Sequence, residues 1–147
     1  MRGSRPGAPA SYFFLMNAVS QIFAVLAAVI YIVVFPLESF LMHRPAAQKF
    51  LSTPPQNVPA VMMWAIPTGF RNLAIGVGVL AGVVAVNMGY LVVGYTLVIY
   101  CCANMVLTAP AMLLADMQGH YPKRGDSIPG TLGATVPALI ALVALPF

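Results

Sequence analysis

The chain has 147 residues, of which 61% are hydrophobic and 7% charged, with a mean hydropathy of +0.90. A soluble domain carries about 25% charged residues to wet its surface, so this composition excludes an ordinary water-soluble fold and requires an apolar solvent for its long apolar runs. The formal net charge is +4, but the basic residues stand singly or in pairs beside apolar runs, with no basic stripe interleaved with aromatics, which excludes nucleic acid as a partner.

Residues 1–10 hold Arg2 and Arg5 with glycine and proline, and an apolar stretch follows. That resembles the start of a signal peptide. The stretch runs past Val34, however, far beyond the usual apolar core of a signal peptide, so it reads as a retained first span over residues 10–42. Pro36 kinks that helix or sets its exit, and Glu38, His43 and Arg44 mark the approach to water. Residues 45–66 contain Pro45, Pro54, Pro55 and Pro59 together with Gln48, Lys49, Gln56 and Asn57. They are expected to form a Pro-rich interfacial connection rather than transmembrane helix, with Trp64 at headgroup level.

Pro67 is expected to open the second helix, over residues 67–86, because a first turn does not need its N–H. Asn87-Met88-Gly89 makes a short turn, so a third span over residues 90–115 should run antiparallel beside the second. Residues 118–130 are polar and turn-rich. A fourth span over residues 131–145, interrupted by Gly133 and Pro137, is the least regular. The predicted fold class is all-α, a single-domain membrane-spanning four-helix bundle. Arg44, Lys49, Arg71, Lys123 and Arg124 fall on one side and Arg2 and Arg5 on the other, so the bias of Lys and Arg toward the cytoplasm predicts both termini outside it.

Polar groups at membrane depth are the candidate functional residues, since lipid makes them costly. Glu38 at the end of the first helix and Arg71 at the start of the second should share a depth and a side, and either pair or snorkel separately. With Asn72 and Asn104 they are candidates for a polar cavity. Thr96, Tyr100, Asn104 and Thr108 recur every fourth residue, a stripe expected to face protein and used more often for interhelical hydrogen bonding than for a ligand. Gly78 and Gly82, with Gly76 nearby, form a small-residue motif for close helix packing. Cys101 and Cys102 are adjacent in an apolar run and read as space-fillers, not as a disulfide or metal pair. His43 and His120 lack a partner at metal-ligand spacing, although Asp116 and His120 are four apart. No nucleophile motif, phosphate loop or dinucleotide fingerprint occurs. No catalytic residue, metal or cofactor is implied, and a haem or chlorophyll ligand from a single histidine is a minor alternative.

Three segments carry a family resemblance. Phe35-Pro36-Leu37-Glu38-Ser39-Phe40-Leu41, with Pro45 and Phe50, supplies a glutamate ending the first helix and an aromatic-rich exit. Gly69-Phe70-Arg71-Asn72 with Gly78 supplies a glycine–asparagine opening of the second, and Pro137-Ala138-Leu139-Ile140-Ala141-Leu142 supplies a terminal run. In this order they resemble the domain of unknown function 1304 family, a group of small bacterial four-helix membrane proteins. The resemblance implies four helices and no known activity. The chain departs from the family pattern at Tyr31, Arg71, Pro67 and Thr68, where the family has histidine, tyrosine and an asparagine–glutamine pair.

Two functions fit. The first is a non-catalytic accessory or scaffold subunit of a larger membrane assembly, partnered by other membrane subunits or by copies of itself within the lipid bilayer. The alternative is a small-molecule or lipid binding protein or transporter with an intramembrane polar cavity. The expected location is the bacterial inner membrane.

Overall fold

The computed structural model describes residues 16–145; Arg2, Arg5, the expected start of the first span and Pro146 lie outside them. Among the described residues every regular element is helical. Helix α1 spans Ala18–Ser39. At its start Asn17 takes extended backbone and its side chain accepts the Ser20 N–H, a genuine cap inside the apolar run. Pro36 lies inside the helix, and its carbonyl accepts from both Phe40 and Leu41, which closes the last turn.

Helix α2 (Pro45–Phe50) and a 3-10 turn (Pro55–Asn57) lead into α3, Val58–Asn87, which runs for 30 residues. Two expectations are corrected here. Residues 58–66 are helical, and Pro67 sits inside α3 rather than opening it. Pro59, in the first turn, takes the opening role that suits a residue without an N–H. Met62 to Ile66 are apolar and continue the span, and one internal proline removes only one ladder bond. Helices α4 (Leu91–Thr108), α5 (Ala111–Met117) and α6 (Ile128–Ala144) follow. Ala109 and Pro110 interrupt the expected third span.

Three helical stretches, Ala18–Ser39, Pro55–Asn87 and Leu91–Met117, are long and apolar enough to cross a membrane; α6 is apolar but shorter, at 17 residues. Helix α1 packs against α3 and α6, and α4 packs against the same two, while α1 and α4 scarcely meet. The contacts are close because small residues face them. A Cβ on Gly76 would lie 2.8 Å from Ile32 Cγ1 and 2.9 Å from the Ala28 carbonyl, so this face of α3 touches α1 almost backbone to backbone. Gly78 and Gly82 face α4 instead: a Cβ there would lie 2.8 Å from Cys101 Sγ and 2.8 Å from Val98 Cγ2 respectively. Both cysteines are free and buried in this packing.

The outside is as apolar as the inside. Val92 is 81% exposed and Leu107 78%. Such faces would aggregate in water and suit contact with lipid tails.

Candidate functional site

A cavity of about 890 Å³ opens where the C-terminal end of α1, the first half of α3, the end of α4, α5 and the start of α6 converge. Its depth follows from helix lengths. Gly69 of α3 lies against Ser39, the last residue of α1. The eleven residues of α3 before it therefore rise roughly 16 Å beyond the end of α1 at 1.5 Å per residue. Val61, Trp64, Ala65 and Thr68 on this overhang form one wall. The turn after α2 supplies Leu51, Ser52 and Thr53 to another. Ser52 has a left-handed φ of 49°, an uncommon conformation for a residue with a Cβ, so this turn carries local strain at the cavity wall.

Two of the sequence motifs meet here although about thirty residues separate them. Asn72 Nδ2 donates to Glu38 Oε2 at 2.8 Å. Phe70 packs edge-on against Phe35, with ring centroids 4.9 Å apart, and against Phe40 at 6.2 Å. A Cβ on Gly69 would collide with Ser39 Oγ and lie 3.0 Å from the Phe35 carbonyl. Glycine at 69 thus lets the two helices approach, and that approach brings the glutamate and the asparagine within hydrogen-bonding distance.

Glu38, Arg71 and Asn72 all line the cavity. The direct partner of Glu38 is Asn72 rather than Arg71. Asn104 does not line it; its carbonyl accepts from Thr108 Oγ1 at 2.8 Å. The stripe containing Asn104 does not face protein along its length. Thr96 and Tyr100 are exposed, and of the four residues only Thr108 reaches the cavity. A four-residue step overshoots a helical turn by roughly 40°, so twelve residues carry the stripe a third of the way around the helix. Tyr31, Thr68 and Arg71, at positions where the chain departs from the family pattern, all line the cavity, whereas Pro67 does not.

Sequence reading weighed Asp116 only as a neighbour of His120 at metal-ligand spacing, whereas it shapes the far rim. Asp116, buried at the end of α5, accepts at Oδ2 from Gly125 N (2.9 Å), Ser127 N (3.2 Å) and Ser127 Oγ (2.7 Å). One carboxylate thereby folds residues 118–127 back so that Tyr121, Gly125, Asp126 and Ser127 line the cavity. Its Oδ1 is buried without a partner. Burial pushes the Tyr121 phenol above its ordinary range, and the Asp116 carboxylate adds to that. A signal did exist: the chain has only three acidic residues, and this one precedes a turn-rich segment whose N–H groups need an acceptor. Among the described residues no three His, Cys, Asp or Glu side chains gather as a metal site.

Over the described residues these features define an all-helical protein with three apolar helical stretches of membrane-spanning length and a mixed polar and apolar cavity at one end. Residues 25–146 match the family described as "Protein of unknown function (DUF1304)", and the chain belongs to that family. No curated protein and no solved structure matches it.

Proposed function

We propose that this chain is a multi-pass membrane protein that binds a small amphiphilic molecule, without catalysis, in the cavity at the end of its helices. The observation that carries the reading is a cavity of about 890 Å³ with Glu38, Arg71 and Asn72 on its wall beside apolar side chains. That size falls within the roughly 300–1,000 Å³ of small-molecule sites, which combine apolar lining with a few polar groups. The exposed apolar faces that support an accessory-subunit role are covered equally well by lipid, so they do not favour a protein partner.

In this reading α6 is a fourth span. Its 17 residues rise about 26 Å, close to the hydrocarbon thickness of about 30 Å. The cavity end carries Arg44, Lys49, Arg71, Lys123 and Arg124, which supports its facing the cytoplasm of a bacterial inner membrane with both termini outside. Helix α2 and the 3-10 turn then lie at the headgroups.

Gly133 provides the test. It lines the cavity, and a Cβ there would meet nothing within 4 Å, so Gly133→Leu puts a branched apolar side chain into the space a ligand would occupy. Native mass spectrometry from mild detergent should show a small molecule on the wild type and none on Gly133→Leu, with helix content unchanged. Equal occupancy of both overturns the reading. A co-purified membrane protein with no small molecule bound supports the subunit role instead.

A further inference from the structure

We infer that the cavity takes an anionic amphiphile, with its acidic head group held by Arg71 and Lys49 and its chain lying against the apolar walls near Gly133. This inference rests on the binding reading above and adds the chemical class of the ligand. Four charged side chains line the cavity: Glu38, Lys49, Arg71 and Asp126. Both carboxylates already have donors. Glu38 accepts from Asn72 at 2.8 Å, and Asp126 accepts from the Lys123 N–H at 3.1 Å. Among the described residues, the side chains of Arg71 and Lys49, both exposed, make no hydrogen bond or ion pair with a protein group. A guanidinium has five N–H donors and an ammonium three, and neither can accept. Of the four charges on the cavity wall, the two cations are the ones without a protein partner among the described residues.

The wider field has the same sign. Arg44, Lys49, Arg71, Lys123 and Arg124 stand at this end against Glu38, Asp116 and Asp126, a positive excess that favours an anion over an organic cation. The planar fork of Arg71 suits the paired oxygens of a carboxylate or phosphate. A chain is implied because the same cavity presents Ile30, Val34, Val61, Met112 and Ala134, together with the open space beside Gly133. A free anion would leave that apolar surface uncovered.

Trp64 is the single tryptophan of the chain and lines the cavity, so its emission reports occupancy. The full-length protein in a neutral maltoside detergent is titrated with dodecyl phosphate, dodecyltrimethylammonium and inorganic phosphate. Dodecyl phosphate should produce a saturable change that Gly133→Leu abolishes. Arg71→Gln should weaken it at least tenfold, about 1.4 kcal/mol, and Arg71→Lys, which keeps the charge but loses the fork, should weaken it less. If Arg71→Gln fails to fold, Arg71→Lys carries the comparison. Equal binding of dodecyl phosphate by the wild type and both Arg71 variants overturns the inference. Equal affinity for the cationic probe, also lost in Gly133→Leu, overturns the anionic class and leaves the cavity as a binding site. Full competition by inorganic phosphate at matched concentration overturns the amphiphile in favour of a free anion. A response to dodecyl phosphate that Gly133→Leu leaves intact overturns the binding reading itself.

Discussion

The two ends of the molecule use polar side chains in opposite ways. At the end formed by Asn17, Asn87 and Ala144, polar groups tie helices together. Asn17 caps α1 and also donates to the Ala144 carbonyl at the end of α6, and Ser20 Oγ donates to the Ala141 carbonyl at 2.7 Å. Gln21 Oε1 accepts from Asn87 Nδ2 at 2.9 Å, and that same nitrogen donates to the Val83 carbonyl at 2.8 Å. The last carbonyls of a helix have no intrahelical partner, and here a neighbouring helix supplies one. At the other end, Glu38 has one partner, and the cations of Arg71 and Lys49 face the cavity. Hydrogen-bonding capacity used for closure at one end is left available at the other, and a molecule can be recognised only where it is available.

The largest expected effect contrasts two glycines, one on each half. A Cβ on Gly82 would lie 2.9 Å from Leu97 Cβ and 3.0 Å from the Gly94 carbonyl, whereas one on Gly133 meets nothing within 4 Å. Gly82→Leu should therefore lose at least about 3 kcal/mol of stability, beyond ordinary overpacking because backbone must move. Gly133→Leu should hold or gain up to about 1 kcal/mol through better helix propensity. Thermal unfolding in detergent measures both. Similar losses would mean that the open half is as tightly packed as the closed one.

Asp116→Ala should come next, at about 2–3 kcal/mol, since it strands the buried Ser127 hydroxyl and two backbone N–H groups. Its mark is local: amide exchange should accelerate across residues 118–127 while the half near Asn87 stays protected. Uniform acceleration would show that this carboxylate supports the whole fold and not one rim.

The smallest effects compare single hydrogen bonds. Ser20→Ala leaves the Ala141 carbonyl without its cross-helix donor in a buried site, at about 1 kcal/mol. Asn72→Ala removes a half-buried bond beside the cavity, where water can replace it, and should lose less than about 0.5 kcal/mol. A greater loss for Asn72→Ala in chemical denaturation would mark the cavity end as the drier one and reverse the comparison.

Much of this architecture was legible before any coordinates. The apolar runs place spans over residues 10–42, 67–86 and 90–115, which contain the observed α1, the later part of α3 and α4, and Asn87-Met88-Gly89 marks the α3–α4 turn, where Gly89 has a φ of 88°. Glu38, Arg71 and Asn72 emerged as candidates because charge and amide are rare in such a chain. Two boundaries were not legible. Asn17 is one amide in an apolar run until its cap geometry is known, and proline 59 and proline 67 are both able to open a helix when read locally.

Sequence alone determined the solvent of this protein, because a chain with 7% charged residues cannot cover its own surface in water. It also determined the helical class, since a bilayer admits only helices and closed barrels, and uninterrupted apolar runs of this length suit a helix and not the alternating strands of a barrel. Tertiary structure alone decided which polar residues act together. Glu38 meets Asn72 across 34 positions, Asn17 reaches the end of α6 across 127, and Asn104 is left off the cavity wall. The physical reason is rotational: helical periodicity fixes where residues lie relative to one another around a helix, but the direction any of them faces depends on which neighbours pack against it. In this chain that was decided by Gly69, Gly76, Gly78 and Gly82, where the absence of a Cβ lets α1 and α4 approach α3 closely.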